Sequence, residues 1–306
     1  MNPGEKNKTS IHIHPGEKGM RSSFRVERDT RSEWGGLYIP EKLKTPGTGL
    51  RILLLCSTTA GHLLLRTLIH MDSQFPGKID IRAVATDDPL DPKARISVRK
   101  RIWKYYSDDE KARLSELVRN AALAYGIPCY TGGVKNDYFR TLLRGWNPEV
   151  IIMCCFGQKV DAPVYGFPAF GMYNFHPSDL ASNIGAGAQP YTMTIENGRT
   201  TSNMILHQVT ETIDAGPIVG ISPAINITTG NSHYPDNILV LQEKIPSVCG
   251  WMAYALVTRL LRKKEKGETG KIDHIDFDEI IPYAVKEILM KPVMNDITER
   301  YELPMP

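Results

Sequence analysis

Three side chains that can transfer an acyl group without a covalent intermediate lie within one stretch of this chain. Asn174 and His176 are two residues apart, so on an extended strand they point to the same side, and a proline ends that strand directly after them. Asp214 follows an alternating apolar segment and precedes a Gly-Pro pair, a pattern typical of an aspartate in a turn. An amide donor, an imidazole and a carboxylate together can stabilise an oxyanion and move a proton.

Each of these residues also has a purely structural interpretation. Asn174 could be a turn amide, His176 a buried histidine with its own partners, and Asp214 a cap. Their joint occurrence with glycine-rich turns is what points to chemistry.

Apolar runs alternating with helical patterns predict the elements that would position these side chains. The predicted strands of the first half are Leu50–Cys56, Ile79–Thr86, Ile127–Tyr130 and Glu149–Cys155. A capping box at Ser107 and Glu110 starts a predicted helix that runs to about Tyr125. This spacing predicts an α/β fold with a doubly wound, mostly parallel sheet. Ligands should then lie beyond the strand ends, at Ser57–Gly61 and Phe156–Val160.

The second half continues with mixed elements. We expect a helix over Ala186–Asn197, strands over Ser202–Val209 and Pro217–Ile221, a helical stretch over Asp236–Lys264 broken at Pro246, and a last helix near Phe277–Met290.

Three regions are predicted. Residues 1–49 are rich in Gly, Pro, Lys, Arg and Ser and are expected to be an N-terminal extension that is largely irregular or wraps the domain, pinned to the body by apolar residues at 34–39. His12 and His14 alternate with isoleucines, and we interpret them as a short edge strand or an ordered arm instead of a metal site. Residues 50–265 form the catalytic domain. Residues 266–306 form a short helical C-terminal tail, a candidate element for homodimerisation or for a lid.

Composition limits the partners. The 306 residues include 37 basic and 34 acidic side chains, a formal charge of +3, so no overall field calls for nucleic acid. A local basic segment, 93–104, is interpreted as a solvated helix face or loop, with an anionic substrate site as the alternative.

The five cysteines lack metal-type spacing and predict buried thiols in a reducing cytoplasm. No apolar run is long enough for a membrane span, so we expect a cytoplasmic protein. The chemistry expected of the three side chains needs no metal.

Beyond these patterns, the chain resembles the folate-dependent formyltransferases, the family of the glycinamide ribonucleotide and methionyl-tRNA formyltransferases. The similarity covers about residues 50–265. The motifs that carry it are Phe156-Gly157-Gln158, Gly171–Ser178, Gly185-Ala186 with Pro190, and His207-Gln208-Val209 followed by Asp214–Pro217.

The resemblance implies a Rossmann-like catalytic domain, N10-formyltetrahydrofolate as co-substrate and a small-molecule amine as acceptor. By it, Asn174, His176 and Asp214 form the catalytic triad, in which Asn174 and protonated His176 donate to the formyl oxygen. The residues implied to bind the pterin are Phe156, Gly157, Gln158, Lys159, Val160, Thr210, Glu211, Thr212 and Ile213. The candidates for acceptor binding are Ser57, Thr58, Ser178, Asp179, Gly185 and His207.

The chain departs from the family pattern on the acceptor side. Asp179-Leu180 and Asn183-Ile184-Gly185 stand where the family usually has Leu-Pro and Arg-Gly, and Ser57–Gly61 is a poor copy of the ribonucleotide enzymes' phosphate loop. Residues 266–306 are too short for the barrel that the tRNA enzymes add. The expected acceptor is therefore left between an amino sugar nucleotide and an amino acid derivative. A formyltetrahydrofolate hydrolase with the same triad and a non-catalytic folate-binding module are the alternatives.

Overall fold

The computed structural model describes residues 23–28, 35–87, 106–187, 190–230, 232–294 and 303–306. The basic segment 93–104, His12 and His14 lie outside the described residues, so the predictions made for them stay untested.

A nine-stranded sheet is the centre of the fold. Its strands are β1 (Phe24–Arg28), β2 (Gly35–Pro40), β3 (Leu50–Cys56), β4 (Ile79–Thr86), β5 (Cys129–Gly132), β6 (Val150–Cys154), β7 (Met172–His176), β9 (Ile205–Gln208) and β10 (Ile218–Ile221). They lie in the order β1-β2-β5-β4-β3-β6-β7-β9-β10. The five central strands, β5 to β7 in that order, are parallel, and two antiparallel strands flank them on each side. The predicted α/β class with a mostly parallel sheet is confirmed.

Helices cover both faces of this sheet. They are α1 (Thr58–Gln74), α2 (Asp108–Ala124), α3 (Asp137–Trp146), α4 (Ala162–Tyr165), α5 (Pro190–Glu196), α6 (Leu239–Lys244), α7 (Cys249–Glu265), α8 (Phe277–Ile280) and α9 (Tyr283–Met290). The predicted capping box is present, because the Ser107 side chain accepts from the amide of Glu110 while the Glu110 carboxylate accepts from the amide of Ser107.

Alternation along the central strands produces two apolar cores. On β3, Leu50, Ile52 and Leu54 face the first core, while Leu53 and Leu55 face the second. Helices α1, α2 and α7 contribute to the first core, and α3 and α4 contribute to the second. Because both faces are covered, the central strands are apolar throughout, as parallel strands generally are.

The N-terminal expectation needs correction. Within the region expected to be irregular, β1 and β2 extend the main sheet, and β2 pairs antiparallel with β5. Leu37, Tyr38 and Ile39 are buried there, in agreement with the predicted attachment of this segment to the body. The strands escaped prediction because their few apolar residues are stabilised by a sheet edge far away in sequence.

Two elements of the second half differ from prediction in their bounds, and a third is divided where the sequence predicted. Helix α5 begins at Pro190, the residue that can start a helix but not continue one. The strand expected over Ser202–Val209 is divided into β8 (Thr201–Ser202), which pairs with β11 (Ile225–Asn226) in a separate small sheet, and β9 in the main sheet. The helical stretch is divided at Pro246, as predicted, by a 3₁₀ turn between α6 and α7.

The C-terminal segment contains two short helices where one was expected. Pro282 separates α8 from α9. Ile275, Phe277, Val285 and Leu289 of this segment are buried in the first core, so the tail packs on the body. The division into three regions and the dimerisation role of the tail stay predictions.

Candidate active site

The candidate site lies beside β3, where the chain stops adding strands on one side of the sheet and begins to add them on the other. From β3 the chain continues to β4 and β5 on one side, and later to β6 and β7 on the other. Loops leaving the carboxyl ends of β3 and β6 therefore separate and leave a crevice, the usual ligand site of such sheets. A cleft is present there, lined by Thr58 after β3 and by residues 155–160 after β6.

The pairing of β7 with β9 brings Asn174 and His207 together. The two residues are direct cross-strand neighbours. His207 Nδ1 donates to the Gln208 carbonyl (2.9 Å), which leaves Nε2 to accept from Asn174 Nδ2 at 3.0 Å. The second N–H of the Asn174 amide is held only loosely, by Asp214 Oδ1 at 3.5 Å. Asn174 is thus oriented by His207 and keeps one donor that a ligand can redirect.

A left-handed turn brings Asp214 to this pair. Its backbone φ is 54°, a region that aspartate and asparagine tolerate better than most residues. Gly216 follows, and a Cβ there would overlap the carbonyl oxygen of Gln208. The Asp214 carboxylate accepts from the Gly187 amide at 2.8 Å and lies 3.6 Å from His207 Nε2. The predicted return of this aspartate to the end of β7 therefore occurs.

His176 is held between the Asp214 turn and the loop after β7. Its Nε2 donates to the Gly185 carbonyl at 2.8 Å, and its Nδ1 lies 3.8 Å from Asp214 Oδ2. Only an imidazolium has an N–H for both partners, whereas the neutral ring can donate to one.

Burial sets the electrostatics of the site. It lowers the pKa of His176, and the Asp214 carboxylate opposes this shift without cancelling it. Burial alone would raise the pKa of Asp214, but contacts with His207, His176 and the Gly187 amide hold it below its ordinary value. These shifts favour a neutral His176 beside an ionised Asp214, in contrast to the imidazolium expected from the resemblance.

Two groups of side chains of different character, called here the apolar wall and the polar wall, line the cleft. The apolar wall consists of Phe156, Val160, Val209 and Ile213; the first three pack on the second core, and Ile213 is 53% exposed at the mouth. The polar wall consists of Thr58, Cys155, Tyr191 and Gln242; Cys155 and Tyr191 pack with the first core. The lining of the cleft thus includes residues from the cores on both faces of the sheet.

Most of the residues predicted to bind the pterin line the cleft. They are Phe156, Gly157, Gln158, Lys159, Val160, Thr210, Thr212 and Ile213, whereas Glu211 does not line it. The side chain of Gln158 is occupied by the protein: it donates to Asp87 (3.0 Å) and to the Gly132 carbonyl (2.8 Å) and accepts from the Val134 amide. Gln158 therefore joins the ends of β4, β5 and β6, and only part of its surface is offered to a ligand.

The residues predicted to bind the acceptor are distributed less uniformly. Thr58 and His207 line the cleft, whereas Ser57, Ser178, Asp179 and Gly185 do not. Ser57 Oγ donates to the Cys155 carbonyl at 2.5 Å, and Asp179 lies 3.8 Å from Arg199. Ser178 is fully buried, and a Cβ on Gly185 would lie 2.6 Å from the Ser178 Cβ. These four residues stabilise the loops after β3 and β7, and none of them lines the cleft.

The sequence reasoning did not select Cys155, Tyr191 and Gln242 of the polar wall. Tyr191 was assigned only to a helix, and Gln242 lies on α6, far along the chain. Cys155 follows a buried strand, where a cysteine is ordinarily a small core residue; its φ of 51° is the departure that marks it, and no sequence pattern reports it.

Comparison with known proteins finds a family similarity in the middle of the chain. The Formyl transferase family model matches residues 108–233, which include β6, β7, β9, the loop after His176 and the Asp214 turn. This match covers 126 of the 306 residues.

Curated relatives within this family are matched over part of their length. Methionyl-tRNA formyltransferase of Syntrophus aciditrophicus is 32% identical over 117 residues, which are 37% of this chain and 37% of the relative. The same enzyme of Thermotoga neapolitana is 30% identical over 102 residues, 33% of this chain and 32% of the relative. The matches thus span about a third of each relative.

A solved structure of the family shares the fold. Phosphoribosylglycinamide formyltransferase from Bacillus halodurans aligns with a TM-score of 0.52 at 18% identity, over 71% of this chain and 97% of that one. Within the described residues, no group of three or more His, Cys, Asp or Glu could hold a metal ion. No helix in that part of the chain has the length and apolarity needed to cross a membrane.

Proposed function

We propose that this protein transfers a formyl group from N10-formyltetrahydrofolate to the primary amine of a small-molecule acceptor. The observation that carries the proposal is the meeting of Asn174, His176 and Asp214 in the lining of one cleft, within the part of the chain that matches the Formyl transferase family model.

The reaction needs no oxidant and no covalent enzyme intermediate. The acceptor nitrogen attacks the formyl carbon, a C–N bond forms, and the carbonyl oxygen takes up negative charge. Collapse of this tetrahedral species breaks the bond between the formyl carbon and N10. The acceptor nitrogen loses one proton and N10 gains one, so the products are a formamide and tetrahydrofolate.

Asn174 would stabilise the developing oxyanion. His207 fixes one of its N–H groups at 3.0 Å, while the other is held loosely by Asp214 at 3.5 Å and can turn to the formyl oxygen. A preorganised donor of this kind is worth roughly 10² to 10³ in rate.

His176 and Asp214 would handle the protons. Burial lowers the pKa of His176, but negative charge on the formyl oxygen favours the imidazolium, so His176 can become a donor as the reaction proceeds. The ionised Asp214 stabilises that imidazolium and can accept the amine proton directly or through water. His207 is a positioning residue in this scheme, because it contacts Asn174 and Asp214 instead of the formyl group.

The apolar wall fits the donor. A flat pterin ring needs apolar contacts on its faces and hydrogen bonds at its edge. Phe156, Val160 and Val209 supply apolar surface, and the exposed Ile213 can cover the ring from the mouth of the cleft.

Incubation with N10-formyltetrahydrofolate, with and without a panel of small amines, tests the proposal. We expect the donor to bind, formate to be released slowly without an amine, and a formamide to form with a suitable amine. Prompt release of formate that no amine accelerates would identify a hydrolase instead. Failure of the folate to bind would refute the proposal.

A further inference from the structure

Two hydroxyl groups of the polar wall have no hydrogen-bond partner among the described residues. They are Thr58 Oγ1 and Tyr191 Oη, both buried, each on a residue that is 2% exposed. Both residues line the cleft. Folded proteins pair almost all buried polar groups, because an unpaired one loses its hydration without compensation.

Tyr173 shows how the same core treats a structural tyrosine. It is fully buried in the first core, like Tyr191. Its hydroxyl donates to the Phe170 carbonyl at 2.8 Å and accepts from the Ile272 amide at 2.7 Å. The same core thus satisfies one tyrosine hydroxyl fully and leaves that of Tyr191, a residue that lines the cleft, without a partner in the described part of the chain.

The other groups around the polar wall are connected to one another. Gln242 Nε2 donates to the Cys155 sulfur at 3.5 Å, and Ser57 Oγ fixes the Cys155 carbonyl. These bonds hold the strand ends and α6 together around Thr58. Burial also raises the pKa of Tyr191 well above its ordinary value, so its phenol keeps its proton and stays a donor.

A carboxylate lies near the polar wall. Thr59 Oγ1 donates to the Glu243 carboxylate at 2.9 Å, which places this acidic group at the residue next to Thr58 in the chain. Among the described residues that line the cleft, the cationic side chain is Lys159, which is exposed on the loop after β6, beside the apolar wall. Hydroxyls that both donate and accept match a neutral polar ligand better than a carboxylate.

We infer that the polar wall is the acceptor subsite, and that Tyr191 and Thr58 are specificity-determining residues which bind hydroxyl groups on an uncharged part of the acceptor amine. The inference rests on the proposed function and deepens it. Between the two acceptor classes that the sequence left open, it selects a hydroxyl-bearing amine, such as an amino sugar, over an amino acid derivative.

Thermal unfolding of two matched variants tests the unpaired state without any substrate. Tyr191→Phe removes a hydroxyl without a partner, so we expect a Tm equal to or above that of the wild type. Tyr173→Phe removes one with two partners, so we expect a lower Tm. A fall in Tm for Tyr191→Phe as large as for Tyr173→Phe would assign its hydroxyl a structural role and overturn the inference.

Three amines of similar ring size test the specificity with N10-formyltetrahydrofolate present. D-Glucosamine carries hydroxyls, cyclohexylamine has none, and 2-amino-2-deoxy-D-glucuronic acid adds a carboxylate. We expect kcat/KM to be highest for glucosamine. Tyr191→Phe and Thr58→Val should each lower that value roughly tenfold to hundredfold, mainly through KM, and leave the value for cyclohexylamine unchanged.

The outcomes separate the two proposals. If the folate does not bind, the proposed function fails. If the folate binds but glucosamine has no advantage over the other two amines, or the two variants lower all three amines equally, the inference on the polar wall fails while the donor assignment stands.

Discussion

The two walls of the cleft are built by different means. Phe156, Val160 and Val209 of the apolar wall pack on the second core and offer apolar surface without side-chain hydrogen bonds. Such a surface suits a flat ring whose orientation is set by hydrogen bonds to the protein backbone. The polar wall instead brings together a threonine, a cysteine, a tyrosine and a glutamine from four separate elements. Two of its hydroxyls lack partners among the described residues.

Under the proposed function, this difference separates a tolerant surface from a selective one. An apolar wall tolerates many flat ligands, because dispersion and burial are non-directional. Hydroxyls discriminate, because a ligand that fails to pair them leaves them without partners in the bound state. We therefore expect variants of the triad to affect turnover whichever ligand is bound, and variants of each wall to affect only one ligand.

Loss of the Asp214 charge should produce the largest effect and affect neither wall. Asp214→Asn keeps the shape of the side chain but removes the negative charge beside His176. We expect kcat to fall by roughly 10² to 10⁴, with the Kd for an unreactive folate analogue and the KM for the amine nearly unchanged. Near-normal turnover in steady-state assays would exclude Asp214 from proton transfer.

Displacement of the same carboxylate should have a smaller effect. In Gly216→Ala the new Cβ overlaps the Gln208 carbonyl, so the turn must shift and move Asp214 away from His176. We expect kcat to fall roughly tenfold to hundredfold in a folded protein of reduced stability. Gly198→Ala is the matched control, since nothing lies near its Cβ position and its φ of 65° imposes backbone strain away from the cleft. An equal loss of kcat in both variants would contradict the explanation through Asp214.

A charge on the apolar wall should weaken the donor alone. Ile213 is 53% exposed, so Ile213→Asp should fold while placing a carboxylate against the bound ring. We expect roughly a tenfold rise in the folate Kd and no change in discrimination between amines. Ile221→Asp, on a residue that is 40% exposed and does not line the cleft, should leave the folate Kd unchanged. Equal effects of both variants would indicate a general loss of stability.

The smallest expected effect is a change in the titration of His176. Its folded-state pKa is below the ordinary value because of burial, so NMR of the imidazole should place the midpoint below about 6.5. In Asp214→Asn the midpoint should fall further, because the opposing carboxylate charge is lost. The unfolded chain binds this proton more readily, so the stability that His176 contributes is complete above pH ~6.5 and is lost as the pH falls towards the folded-state value. A midpoint above 6.5 would contradict this assignment.

Two predictions about the whole protein stay open to direct measurement. Tyr283 and Met290, which are 75% and 47% exposed on α9, could support the predicted dimerisation through the tail, and sedimentation of the purified chain by analytical ultracentrifugation would decide it. The predicted cytoplasmic location can be checked by fractionation.

Much of this site was predictable because its signals are local. The alternation that places Asn174 and His176 on one side, the proline that ends β7 and the Gly-Pro pair after Asp214 all act within a few residues. Each central parallel strand was visible as an apolar run, since both of its faces are buried.

Only the tertiary structure decided which distant segments pair and in which register. The antiparallel register of β7 and β9 makes His207 the partner of Asn174, and a shift of one residue would turn it to the opposite face. The addition of β2 to the sheet depends on the free edge of β5. The polar wall depends on four elements that come together only in the fold, so the sequence by itself determined the candidate catalytic groups and their strand, while packing alone determined which side chains line the cleft beside them.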